Sequence, residues 1–117
     1  MSRDQASLID IINAAQRILN FAKGIDKSVL ASNEEKQSAI LYQVLVIGEA
    51  TKRLSQEFRT QHSQIPWKDI AGMRDILAHQ YDHVDLKTIW DVIHKDIPEL
   101  LAYLKPLIQD LDTKPDP

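Results

Sequence analysis

The chain has 117 residues, a formal net charge of −3 and no cysteine. That length suits one domain that buries a core without metal or disulfide staples, and the missing thiols exclude both a disulfide framework and a cysteine-based zinc site. A bulk nucleic-acid-binding domain is normally strongly basic, so the overall balance argues against that class.

No stretch reaches the ~20 apolar residues that a membrane span needs. Met1-Ser2-Arg3-Asp4 is polar and lacks the layout of a signal peptide. The expectation is a soluble cytoplasmic protein with no membrane contact, a single domain over residues 1–112 and a disordered tail over 113–117.

In chain order, Leu8, Ile12, Ala15, Leu19 and Ala22 recur at helical spacing, with Ile11 and Ile18 widening the stripe. Gly24 stands where a helix has just ended. Residues 26–33 read as a connection with a short helical turn. Asn33, followed by Glu34 and Glu35, reads as the cap of a second long helix. Ile40, Val44, Ile47, Leu54 and Phe58 form its stripe, which predicts that it runs to about Phe58. Gly48 lies inside it and costs ~1 kcal/mol of propensity, which close approach of another helix would offset. Residues 60–65 read as a loop. Pro66 suits the first turn of a third helix carrying Trp67, Ile70, Met73 and Leu77 and ending near His79. Asp85 caps a fourth, with Leu86, Ile89, Trp90, Ile93, Ile97, Leu100, Leu104, Leu107 and Leu111 in period. Pro98 should kink that helix, because its ring clashes with the carbonyl of His94, and Pro106 is a second candidate kink. Strand alternation is absent. The fold expected is all-α, an antiparallel bundle of four to five helices.

Charge is uneven along this layout. Residues 52–74 hold five basic groups (Lys52, Arg53, Arg59, Lys68, Arg74) against Glu57 and Asp69, a local +3 that leaves −6 elsewhere. Either a basic patch or a mixed solvated surface fits that distribution.

The segment Gly72-Met73-Arg74-Asp75-Ile76-Leu77-Ala78-His79-Gln80-Tyr81 concentrates a guanidinium, a carboxylate, an imidazole and a phenol at a helix end. Arginine is a permanently charged fork that matches phosphate oxygens, and histidine exchanges protons near neutral pH. RNA supplies its own nucleophile, the 2′-hydroxyl. A ribonuclease without metal then needs a proton shuttle and a cation at the phosphorus centre. Asp75 and His79 share a helix face, whereas Arg74 and His79 stand about 140° apart on an ideal helix. Unwinding near His79, or a two-fold dimer with a composite cleft, would bring them together. Other readings of the same residues remain open. Arg74, Asp75 and His79 also suit a surface salt-bridge and capping group. Asp75, His79 and His83 have a spacing that can align metal ligands. Glu49 can pair with Lys52 and Arg53 or help position the motif. His62 reads as solvated, His94 as structural, and Trp67 and Trp90 as core anchors.

Arg74 to Tyr81 resembles the R-x-x-x-x-H-x-Y signature of the HepT branch of the HEPN superfamily. Ile47-Gly48-Glu49-Ala50, the run from Ile65 to Arg74, Val84-Asp85-Leu86 with Trp90, and Ile97-Pro98-Glu99-Leu100 are similar to that family's flanking segments. The resemblance implies a small helical homodimer acting as the toxin of a toxin–antitoxin pair, a metal-independent endoribonuclease without cofactor. By position, Arg74 and His79 would be catalytic and Asp75 supporting, with Glu49 a secondary candidate. Tyr81 would accept AMP from an MntA-type nucleotidyltransferase antitoxin and so silence cleavage of RNA. The family's usual asparagine after the arginine is Asp75 here. The other function consistent with these residues is a non-catalytic nucleotide- or partner-binding subunit of a nucleotidyltransferase complex.

Overall fold

A computed structural model describes residues 2–79 and 85–113, with side chains described except at 74–79 and 109–113. Every regular element among these residues is helical: α1 (Arg3–Ala22), α2 (Lys27–Ser32), α3 (Glu34–Lys52), α4 (Gln56–Gln61), α5 (Trp67–His79), α6 (Leu86–Asp91), a π-helical turn (Val92–Asp96) and α7 (Ile97–Thr113). Four of these are long, and α2, α4 and α6 are six-residue pieces between them. The all-α expectation holds.

Local chemistry explains most of the boundaries. Ser2 and Gln5 form a reciprocal capping box that opens α1. Gly24 follows its last turn at φ 73°, a backbone state that side chains resist. Asp26 accepts from the Val29 amide at 2.8 Å, Asn33 from Lys36 at 2.9 Å and Asp85 from Lys87 at 3.2 Å, each capping the helix that follows. The Pro66 carbonyl takes the first helical bond of α5, from the Ile70 amide at 3.1 Å, so Pro66 stands one place before the helix rather than inside it.

Two expected boundaries move. The helix predicted to reach Phe58 stops at Lys52, and a separate helix spans Gln56–Gln61, across the predicted helix end and into the predicted loop. Asp4 of α1 makes this break. Its carboxylate accepts from the Ser55 amide at 2.8 Å and from the Ser55 hydroxyl at 2.7 Å, while Ser55 Oγ caps Phe58 at 3.0 Å. Arg59 Nη2 donates to the Leu54 carbonyl at 3.1 Å and satisfies one freed acceptor. At the other end of the chain, α7 runs through Pro106 to Thr113, so the first residue of the predicted tail is helical. Residues 114–117 lie outside the described residues.

The fourth predicted helix is interrupted where its proline requires. The Ile97 amide bonds back five residues to the Val92 carbonyl, widening the turn ahead of Pro98. Pro98 then follows at the start of α7, and the helix continues through it.

Packing centres on α3, which lies against both α1 and α5, while α7 packs on α1. From α1 the fully buried residues are Leu8, Ile11, Ala14, Ala15 and Ile18; Ile12, Leu19 and Ala22 are only half-buried at its flank. From α3 the core takes Ile40, Val44, Ile47 and Ala50, with Gly48 buried on the same helix. The small residues let helix backbones come close, and Thr51 satisfies its buried hydroxyl on the Ile47 carbonyl at 2.7 Å.

Candidate functional site

The N-terminal end of α5 is pinned. Trp67 is buried and donates its indole N–H to the His62 carbonyl at 2.9 Å. Phe58 of α4 lies 5.9 Å from the Trp67 ring and 4.5 Å from the His62 ring. His62 is therefore the half-buried end of α4 rather than a solvated loop residue. Ile70, one turn on, is buried in the core that α5 shares with α3.

From this anchor α5 continues without a break to His79. Arg74, Asp75 and His79 thus stand on one regular helix, which removes unwinding ahead of His79 as a way to align them. Relative to buried Ile70, Arg74 follows by about 40° of helix rotation, Asp75 by about 140° and His79 by about 180°. Position 74 therefore borders the flank that meets the core, and position 79 lies half a turn round the helix. The side chains of Arg74, Asp75 and His79 lie outside the described residues, as do Tyr81 and His83 entirely. The metal reading of Asp75, His79 and His83 falls there too. Among the described residues no group of three histidine, aspartate or glutamate side chains could hold a metal.

The other predicted positions are placed. Glu49 is exposed on α3 and lines a shallow depression of about 230 Å³ with Tyr42, Leu45, Val46 and Arg53. Glu49 and Lys52 are each engaged by a partner. Arg53 pairs with Asp10 of α1 at 3.1 Å, both side chains about half exposed. Such a pair contributes little, on the order of 0–1 kcal/mol. Two of the five basic groups of residues 52–74, Arg53 and Arg59, thus bind parts of the fold itself, which thins the basic patch allowed by the charge pattern. The ring of exposed His94 lies against that of half-buried Trp90, centroids 4.0 Å apart and planes tilted by 44°. The periodicity gave no signal for Tyr42, which leaves a phenol 63% exposed beside Glu49. Among the described residues no helix is long and apolar enough to cross a membrane.

Comparison with known proteins bears on the same segment. The model of the family described as "Ribonuclease HepT-like" matches residues 11–107, from the middle of α1 to α7 and through the whole motif. The chain is 37% identical to "Putative RNase MJ0125" of Methanocaldococcus jannaschii, over 94% of this chain and 95% of that one. It is 38% identical to "Putative RNase TTE0752" of Caldanaerobacter subterraneus subsp. tengcongensis, over 93% and 97%. It is 36% identical to "Probable ribonuclease HepT" of Thermococcus cleftensis, over 80% and 84%. No solved structure matches. An all-helical fold among the described residues, Arg74 to His79 on an unbroken α5, and a family match across most of the chain agree: this protein belongs to the ribonuclease HepT-like family of the HEPN superfamily.

Proposed function

We propose that this protein is the toxin of a toxin–antitoxin pair, a metal-independent endoribonuclease that works in the cytoplasm through Arg74 and His79. The observation that carries this reading is the R-x-x-x-x-H-x-Y spacing from Arg74 to Tyr81, inside the segment matched by the family.

In this mechanism His79 takes the proton of a ribose 2′-hydroxyl, and the 2′-oxygen attacks the adjacent phosphorus. Arg74 stabilises the charge gathering on the phosphoryl oxygens. The bond to the 5′-oxygen breaks, and protonated His79 returns its proton to that leaving group. Asp75 orients one of the two. Because Arg74 and His79 diverge around a continuous helix, the working cleft combines Arg74 of one protomer with His79 of the other in a two-fold dimer. Tyr81 is the acceptor of AMP from a nucleotidyltransferase antitoxin. The modified side chain adds bulk and negative charge beside the cleft and repels RNA phosphates.

The test is RNA cleavage with EDTA present, read beside cell growth on expression. His79→Ala should lower cleavage by about 10²–10⁴-fold and relieve growth arrest. Equal harmlessness of wild type and His79→Ala would leave a non-catalytic binding subunit instead. Mixing inactive Arg74→Ala and His79→Ala chains should restore about a quarter of wild-type activity, since half the dimers are mixed and each holds one intact composite site. No restoration would place both groups on one chain. After incubation with ATP and the nucleotidyltransferase, mass spectrometry should find AMP on wild type and none on Tyr81→Phe.

A further inference from the structure

Beside the start of the motif, a groove of about 210 Å³ runs between the first half of α5 and the start of α7. Its floor is apolar: Ile70, Ile97 and Leu100 are buried, and Met73 is half-buried. Its rim carries Asp69, Asp96 and Glu99, with the half-exposed ring of Tyr103 at one end. None of the three carboxylates has a hydrogen bond or ion pair among the described residues.

One of these charges has an ordinary structural reason. Asp69 stands in the first turn of α5, where a negative charge meets the positive end of the helix, whereas Glu99 follows the π turn, where the Ile97 amide is already bonded to the Val92 carbonyl. Asp96 has no such excuse. It sits in the π turn, partly buried against the apolar floor, and the charges nearest it other than Lys95 are carboxylates, Glu99 and Asp91.

Shape and charge narrow the occupant. The volume is below the ~300–1,000 Å³ of typical small-molecule pockets and suits one or two side chains. Phosphates of RNA and anionic lipid headgroups are repelled by the rim. The three carboxylates do not converge as a metal-ligating group.

We propose that this groove docks a basic segment of a protein partner, an apolar side chain seated on Ile70, Ile97 and Leu100 with flanking lysine or arginine on Asp69, Asp96 and Glu99. An apolar anchor in a pocket supplies affinity, and the charged rim supplies register and rate. In register, Ile70 is about 180° and Met73 about 120° from His79 around α5 but about 40° and 100° from Arg74, so a segment docked here leaves the His79 flank open and borders position 74. The inference stands apart from the ribonuclease reading and does not need it.

The probe is a fluorescein-labelled hexapeptide, Lys-Arg-Leu-Phe-Arg-Lys, titrated into the full chain by anisotropy and by amide chemical shifts. Binding should shift the amides of Ile70, Met73, Ile97 and Tyr103, and should weaken about tenfold in an Asp69→Asn, Asp96→Asn, Glu99→Gln triple variant. Asp69→Lys, an exposed single change, should weaken it in the same direction if the triple variant fails to fold. Replacing the peptide's central pair by Gly-Ser, or its basic residues by Glu and Asp, should abolish the shifts. Any of four results overturns the proposal: no binding, equal binding by the acidic peptide, shifts centred elsewhere, or the same shifts from oligouridylate or anionic vesicles. A change of oligomeric state in the triple variant would overturn it too, by making the groove a contact between copies.

Discussion

Two joints interrupt the helical pattern of this chain, and they are held by different means. At Arg53–Ser55, between α3 and α4, the joint is made by side chains from far away. Asp4 reaches Ser55 across 51 positions of sequence, Asp10 holds Arg53 across 43, and Arg59 covers the Leu54 carbonyl. At Val92–Pro98 the joint is made by one ring. Pro98 offers no amide and needs room, so the preceding turn widens and the helix goes on. The first joint is a tertiary object that exists only once α1 is in place. The second is covalent and local, and would constrain the chain even in isolation.

The largest expected effect tests the first joint's core. Leu54, 2% exposed, seats the turn between α3 and α4. Leu54→Ala should cost about 2–4 kcal/mol in urea unfolding, the usual range for a truncated buried leucine. A cost under ~1 kcal/mol would mean that the turn repacks freely and that the joint is held by its polar contacts alone. Next is Asp4→Ala, which removes both bonds to Ser55 and should cost about 1–2 kcal/mol. In a double-mutant cycle with Ser55→Ala the two changes should be clearly non-additive, because they share one interaction. Strict additivity would break the claim that Asp4 acts through Ser55.

The contrast also explains what could be read from the sequence. Asn33, Asp85 and Pro66 act on their own neighbours, so the starts of α3, α6 and α5 were legible to within a residue. The end of α3 was not. Leu54 and Phe58 keep the apolar period of Ile40, Val44 and Ile47, and nothing within several residues of Ser55 announces that Asp4 will claim its amide. The motif was legible for the same reason as the caps: Arg74, Asp75 and His79 are near neighbours on one helix, and their spacing survives in α5. The acidic groove was not, because Asp69 and Asp96 are 27 positions apart and come to line one groove only through the fold.

The second joint predicts a smaller effect. Pro98 lies in the first turn of α7 and is exposed, so Pro98→Ala loses little packing and should change stability by less than ~1 kcal/mol. Amide exchange at Val92–Asp96 is the sharper readout. If proline alone imposes the widened turn, the alanine variant should slow exchange there as ordinary helical bonds form. Unchanged exchange would show that packing of Ile93 and Ile97 holds the turn instead.

The smallest effect lies in the same turn and turns on pH. Burial raises the Asp96 carboxyl above its ordinary value, with Glu99 and Asp91 adding to the rise and Lys95 opposing it. The folded chain therefore holds that proton more tightly than the unfolded chain. The stabilising contribution is fully present below the unfolded value near 3.8 and is lost as pH rises through the folded one. Asp26 does the reverse. Ser28 and the Val29 amide hydrogen-bond its carboxylate and lower its pKa, so its contribution is present above the unfolded value and lost as pH falls through the folded one. Asp96→Asn should thus stabilise the protein slightly at neutral pH, with the gain shrinking as acid protonates the wild-type residue. Urea midpoints of the two chains, compared at neutral pH and near pH 4, decide it. A less stable variant at neutral pH would mean that the Asp96 charge has a favourable partner within the fold. A more stable one would leave a carboxylate whose charge works against the free protein, which is the behaviour expected of a group retained for something that binds it.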